Sequence, residues 1–453
     1  MGAGKWMRVV LLGPAAVAAC VAMSGCGGAH AGSTQRGDTT CTGRKLTGTT
    51  YLTVWFHASG IIGSERDAMI KQAAAFNRSH RHVRVRLITL PEGDYDQQVS
   101  SAAATGNLPD VLDLDGPYLY NYAWSGKLKP VDSCLTPAER ADLLPSIRAQ
   151  GTYAGRMWGV GTFDSGLGLY VRPSILRKAG IRIPTSPSNA WSAAELTRVL
   201  ARLRKAGYPQ PLDLQLSYNT PPGEWYPYGF APAIWSAGGD LIDRTNYRTV
   251  IGYLNGTPAA DALATIQSWS KAGYVYPNRN GMAFEEGRTP ISWVGHWLFD
   301  DYTRAFPGDV QIVPLPNFGH GTVTGMGSWQ WGITANVSNG DAAWQFISFL
   351  MRPPQVLQMT AANGSIPGTY SAIRRSPRFA AGGSEHLYVT QLEDGIARPR
   401  PQTPAYPAIS ANFARAFQAI VLGLRPVKPT LDAAAQAVQK DLVAHDYYPQ
   451  TGP

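Results

Sequence analysis

The sequence predicts an α/β protein built on mostly parallel sheet, and three observations carry that reading. Strand-like and helix-like runs alternate between Thr50 and Leu114. At 453 residues, 44% of them hydrophobic, the chain holds two or three domains' worth of sequence and ample core. The stretch Met157–Arg172 places four glycines, Gly159, Gly161, Gly166 and Gly168, before and within a strand over Leu167–Val171 that Pro173 ends.

Taken in order, the chain begins like an exported protein. Lys5 and Arg8 form a positive start, Val9 to Val21 is uncharged and apolar, and Met23-Ser-Gly-Cys26 is followed by two glycines. The length and flanks fit an export signal better than a membrane span. The end resembles a bacterial lipobox, with Cys26 as the lipidated residue and Met23 as a departure from the pattern. Val17-Ala-Ala-Cys20 fits the pattern better but leaves a very short apolar core, so Cys26 is preferred. Cys41 and Cys134 then remain, an even number in a compartment that permits disulfides, and a Cys41–Cys134 bridge is expected.

Ala29–Thr47 is polar and rich in glycine and threonine, which predicts a flexible tether. Thr50–Phe56 is a β-branched and aromatic strand, followed by a helix from Ser64 to Asn77 with Met69, Ile70, Ala73 and Phe76 on one face. Val83–Ile88 alternates as a second strand, Tyr95–Thr105 is a small-residue helix, and Asp110–Leu114 is a third strand. Two βαβ units in succession imply parallel pairing. Further on, Ser192 is a helix cap with Glu195 as its partner, ahead of Leu196, Val199, Leu200 and Leu203. Helices are also expected over Ser174–Gly180, Asn339–Met351, Ile409–Leu422 and Leu431–Ala444.

Net charge is +9, and removal of a segment holding Lys5 and Arg8 leaves +7. The densest basic cluster is Arg78, His80, Arg81, His82, Arg84 and Arg86. It has no interleaved aromatic platform and reads as solvated surface rather than a nucleic-acid interface. No G-x-S-x-G, H-E-x-x-H or G-x-x-x-x-G-K-[ST] pattern is present, and no Cys or His spacing suits a metal. The adjacent pairs Glu285-Glu286, Asp300-Asp301 and Glu393-Asp394 could serve a glycosidase in principle, but neighbours in sequence rarely face each other across a substrate. No catalysis and no cofactor are expected.

An ordered series of segments resembles the large bacterial extracellular solute-binding proteins of sugar ABC importers, the maltose-binding-like family. Gly106-Asn-Leu-Pro-Asp-Val resembles that family's G-x-x-P-D-V, and Gly126-Lys-Leu-Lys-Pro-Val-Asp132 its G-x-L-x-P-L-D turn. Gly159-Val160, Tyr170 and Ala179-Gly180 match its first crossing strand, with Gly161 in place of a proline. Pro187–Leu196, Trp235–Asp240, Ala283–Trp297, Gly325–Gly332 and Asn363–Pro367 resemble later segments, so the likeness spans about 400 residues.

The resemblance implies a two-lobed periplasmic-binding-protein fold, each lobe a mostly parallel sheet flanked by helices and joined by crossing strands, the second over Asp309–Pro316. Residues 1–26 would be the lipoprotein signal and 27–47 the tether. Lobe one would be 48–162 plus 313–362, and lobe two 163–312 plus 363–453. It also implies extracytoplasmic, lipid-anchored, monomeric binding of a carbohydrate and its delivery to ABC permease subunits. The alternatives are a glycerophosphodiester or other polar solute, or an exported glycan-cleaving enzyme. Family positions suggest His57, Ser59, Glu65, Asp115, Tyr118 and Asp164 as ligand contacts, the last in a hinge. Sugars need flat apolar rings and groups that satisfy hydroxyls, which singles out Trp297 and Trp329, with Trp225 and Tyr228 beside them; a core role is the alternative for each.

Overall fold

Strand β1 (Thr50–Ala58) is the axis of a first sheet, with Leu52, Val54 and Phe56 turned into the core by its two-residue alternation. The computed structural model describes residues 39–58, 64–218, 223–277 and 280–450. The expected signal 1–26, with Cys20 and Cys26, the first part of the tether and Ser59 lie outside the described residues. Strand β1 runs parallel to β2 (Val83–Pro91), from Thr50↔Val83 to Ala58↔Pro91, and to β3 (Val111–Asp115). Helix α1 (Glu65–Ser79) buries Met69, Ala73 and Phe76 against one face. Ile70, expected on that face, is 44% exposed. Helix α2 (Glu92–Thr105) covers the other face with Tyr95 and Val99, starting a turn earlier than expected, and stops at Gly106 in the left-handed conformation.

Two short strands follow, β4 (Leu128–Lys129) and β5 (Gly159–Val160). The second sheet comprises β6 (Leu167–Val171), β7 (Leu212–Asp213), β8 (Ile291–Gly295) and β9 (Gln311–Val313), in the order β7-β8-β6-β9. Strand β10 (Trp329–Thr334) then returns to the first sheet, giving β2-β1-β3-β10-β4, with β5 also paired to β10. The first sheet is parallel through β1, β2 and β3, and antiparallel where β10 enters. The second departs from the mostly parallel expectation: β6 runs against both β8 and β9. A strand that enters from the other lobe arrives in the opposite sense to one delivered by a βαβ crossover.

In the second lobe, helix α3 (Ala193–Lys205) is capped by Ser192 Oγ, which accepts from the Glu195 backbone N–H at 3.0 Å. The Glu195 carboxylate pairs with Arg182 instead of returning to the cap. Helix α4 (Trp225–Ser236) carries both Trp225 and Tyr228. Every residue of it is buried, so it has no polar face to mark a helical period. Helix α5 (Thr257–Lys271) packs beside it. Helices α6 (Gly340–Leu350) and α7 (Pro353–Asn363) cover the first sheet through Phe346, Ile347 and Met359. Helices α8 (Tyr406–Val421) and α9 (Val427–Ala444) close the core of the second.

The chain changes lobes along Met157–Arg172, since Val160 packs in the first core and Leu167 in the second. The return crossing is not Asp309–Pro316. Val313, Leu315, Phe318 and Val323 all pack with the second core, and the change falls between Met326 and Trp329. The boundary expected after residue 312 is therefore too early, because β9 is an edge strand of the second sheet. The two crossings touch: a Cβ on Gly161 would stand 2.7 Å from Ser328 Oγ. Glycine there serves close approach rather than a special backbone angle.

The tether also ends before Thr47. Cys41 and Cys134 are joined by a disulfide, and Asp341 accepts hydrogen bonds from the backbone N–H groups of Thr42 and Gly43 at 2.9–3.1 Å. These contacts fix 41–43 to the first lobe although they form no regular element.

Candidate functional site

The carboxyl ends of β1 and β3 and the start of β10 meet at the edge of the first sheet that faces the crossings. His57 is the last-but-one residue of β1 and is 1% exposed. Its Nδ1 stands 2.5 Å from Asp113 Oδ2 and its Nε2 3.0 Å from Glu65 Oε1. Burial alone would push the imidazole down, but the two carboxylates more than reverse it and hold the pKa well above the usual range. His57 is thus an imidazolium donating at both nitrogens. Burial raises Asp113 to about 6, while Glu65, with His57 and Asn363 opposing its own burial, lies below the usual carboxylate range.

The Trp329 ring stacks on His57 with centroids 3.5 Å apart and planes 10° from parallel. Tyr95 meets both rings edge-on. Trp329 is half-buried and lies opposite Asp115 in the β10–β3 register.

Asp115 carries the site toward the second lobe. Arg400 Nη2 and Nη1 donate to its two oxygens at 2.9 and 3.2 Å, a bidentate pair between buried groups. The same guanidinium donates to Glu224, which precedes α4 and also accepts from Tyr406 and Ser410. Burial pushes Glu224 up to about 7 despite Arg400. Asp96, half-buried on α2, is pushed well up by burial and then by Asp115 and Glu224. Arg400 lies over the Tyr228 ring at 4.7 Å, and its Nε is buried with no hydrogen-bond partner among the described residues. Tyr118 of the first lobe meets Tyr406 edge-on at 5.8 Å.

Three rings of the second lobe cluster here. Trp225 and Trp297 are perpendicular at 5.8 Å, and Tyr228 lies 6.2 Å from Trp297 and 6.5 Å from Trp225. Trp297, just past the end of β8, is half-buried, whereas Trp225 and Tyr228 are 6% and 7% exposed.

A second polar chain joins the lobes. Ser165 Oγ lies 2.8 Å from His296 Nε2, and His296 Nδ1 lies 2.8 Å from the Asn363 carbonyl oxygen. A carbonyl only accepts, so Nδ1 holds the proton and Nε2 accepts from Ser165. Burial lowers His296 to about 4, consistent with a neutral ring. Asn363 Nδ2 donates to Glu65 Oε2 at 3.2 Å, which links this chain to His57.

Of the residues expected from sequence, His57, Glu65, Asp115, Tyr118 and Trp329 gather on the first lobe, and Trp225, Tyr228 and Trp297 on the second. Asp164 is a correction. It is fully buried and accepts from Ser165 N at 2.8 Å and from Gln150 Nε2 at 3.3–3.4 Å, so protein groups occupy its carboxylate. It holds the turn of the first crossing. Arg400, Glu224, Tyr406, His296 and Asn363 were missed. Arg400 lies in Arg398-Pro-Arg-Pro, a run with no distinctive pattern, and its partners are distant in sequence. No group of three or more His, Cys, Asp or Glu among the described residues could hold a metal ion, and no helix among them is long and apolar enough to cross a membrane.

Comparison with known proteins places this geometry in context. The family described as bacterial extracellular solute-binding protein matches residues 71–383. An uncharacterized lipoprotein in the oleD 5' region of Streptomyces antibioticus is 23% identical over 316 residues, 66% of each chain, so the match takes in just under two thirds of that relative. The GacH receptor of Streptomyces glaucescens, solved unliganded and with acarbose, has a TM-score of 0.73 at 22% identity, covering 88% of this chain and 98% of that one. UgpB of Mycobacterium tuberculosis, in complex with glycerophosphocholine, has a TM-score of 0.72 at 19% identity, over 88% and 100%. At these identities the likeness establishes the two-lobed fold.

Proposed function

Because the chain belongs to the bacterial extracellular solute-binding protein family, we propose that it captures a sugar or oligosaccharide outside the cytoplasm and delivers it to an ABC importer. The observation that carries the sugar is the set of aromatic rings beside the charge network of Asp115, Arg400 and Glu224 that joins the lobes: Trp329 stands opposite Asp115, Tyr118 meets Tyr406, and Tyr228, under Arg400, lies next to Trp297. Flat rings cover the C–H faces of a pyranose, and fixed charged groups satisfy its hydroxyls. Ligand contact with both lobes would favour closure by its differential affinity. The GacH receptor, which has this fold, was solved with acarbose.

Lipidation at Cys26 belongs to the same reading, motivated by the charged start, the apolar run and Ser-Gly-Cys-Gly-Gly. It would hold the protein at the outer face of the membrane, beside its permease. Intact-mass spectrometry of membrane-extracted protein decides this, and a mature start elsewhere removes it.

Calorimetric titration with a panel of malto-oligosaccharides and related sugars tests the function. Saturation at about 100 times Kd should add about 2.7 kcal/mol of stability. Glycerophosphocholine belongs in the panel, since a protein of this fold was solved with it. Heat and thermal shift from that compound alone would replace the sugar reading, and turnover of any glycan would replace binding with catalysis.

A further inference from the structure

The basic cluster at 78–86 plays no part in the site. It lies at the opposite end of the first sheet, where β1 and β2 begin. Arg84 and Arg86 stand opposite Tyr51 and Thr53 in the β1–β2 register. Nearer the site, Trp55 and Leu90 on that face pack against the core under α2, but Tyr51 is 76% exposed. Arg78 at the end of α1, Arg81 in the turn and Arg86 on the edge strand are exposed. Arg84 is fixed through its Nη1 to the carbonyl oxygens of Asn77 and His80. None of these four arginines forms an ion pair among the described residues. At this end Asp110 accepts from Thr53 N at 2.8 Å. Burial shifts His80 toward its neutral form.

A second observation joins the cluster to the start of the chain. After the contacts at 41–43, Arg44 and Lys45 are exposed, Leu46 packs on the first core, and Thr50 N donates to His82 O at 2.9 Å. The segment that leads in from the N-terminus therefore enters the sheet among the arginines. Seven residue steps along β1, about 23 Å, separate Thr50 at this end from His57.

We propose that this end of the first lobe, Tyr51 with Arg78, Arg81, Arg84 and Arg86, is a docking surface for anionic phospholipid headgroups. Exposed arginines near an anionic bilayer each add attraction, and a tyrosine opposite Arg84 suits the wet, half-apolar headgroup layer. With this end toward the bilayer, the cleft stands about the length of β1 away from it. The surface is independent of the sugar reading, and of Cys26 except for its use in the cell, so the test needs no lipid on the protein.

The packed unit starts at Thr39, so the chain from Gly27 onward carries all of it. Co-sedimentation with vesicles of phosphatidylglycerol and phosphatidylcholine should show binding at low salt that disappears between about 0.05 and 0.5 M salt, with none to phosphatidylcholine alone. The triple variant Arg78→Glu, Arg81→Glu, Arg86→Glu should lose about tenfold or more of the partitioning while keeping its melting temperature. The control Arg177→Glu, Lys178→Glu, Lys205→Glu changes the same charge on exposed residues of the second lobe and should lose far less. Equal loss in both triples reduces the effect to net charge and overturns the site. Absence of vesicle binding, or binding to duplex DNA with none to vesicles, overturns it as well.

Discussion

The imidazole of His57 and the indole of Trp329 lie face to face, 3.5 Å apart, while both imidazole nitrogens are held by carboxylates. A charged ring on an aromatic face is stabilised by the ring quadrupole, and more so when water is excluded. One face of Trp329 is thus taken by the protein itself and is closed to a ligand.

The His57 network sets a pH dependence. Its folded pKa is raised, so its contribution to stability is fully present below the unfolded value of about 6.5 and is lost as pH rises through the raised value. Melting of wild type and His57→Gln should differ most near pH 6, with the difference shrinking steadily above about pH 6.5. A difference that stays constant from pH 6 to pH 10 would mean His57 acts through shape alone.

Arg400 is the buried cation between two carboxylates of different lobes, the buried Asp115 and the half-buried Glu224. Arg400→Met leaves Asp115 and Glu224 without it and should cost about 3–5 kcal/mol in urea unfolding. Adding Asp115→Asn and Glu224→Gln should recover part of that loss, because the stranded charges are then gone. No recovery would show that packing under Tyr228, rather than charge, accounts for the cost.

The early strands and helices of the first lobe were legible because each buries one face. Leu52, Val54 and Phe56 alternate with exposed or half-exposed residues, and α1 keeps most of its apolar stripe. The all-buried helix α4 offered no such contrast between two faces. Half of the site was legible for a related reason: His57, Asp115 and Trp329 sit at strand ends, where open α/β sheets place ligands. Arg400 and His296 were not, since each acquires its role from partners that only the fold brings near.

Trp297 and Trp225 should separate when each is truncated. Trp297 is half-buried at the end of β8, so Trp297→Ala should weaken ligand binding by about 1–3 kcal/mol with a small change in melting. Trp225 is 6% exposed and donates through Nε1 to the Leu214 carbonyl at 3.2 Å. Trp225→Ala should instead lower stability by about 3–5 kcal/mol. Titration calorimetry and unfolding on both variants read the two quantities, and a reversed pattern would exchange their roles.

Asp164 is the residue at which the hinge expectation and the structure part company. Placed in a glycine-rich crossing, it suggested a carboxylate offered to sugar hydroxyls. In the fold its oxygens face Ser165 N and Gln150 Nε2, and burial raises its pKa. A carboxyl with a raised folded pKa favours folding less as pH climbs past the unfolded value, about 3.9, toward the raised one, so at neutral pH its charge is a burden on the fold. Asp164→Asn removes the charge and keeps an oxygen for Ser165 N, at the expense of one contact with Gln150. Affinity should therefore stay within about twofold of wild type, and stability should change by no more than about 1 kcal/mol at pH 7. The wild-type protein alone should then gain on the variant as pH falls through the raised value toward about 3.9. A tenfold or larger loss of affinity with unchanged melting would return Asp164 to the binding site.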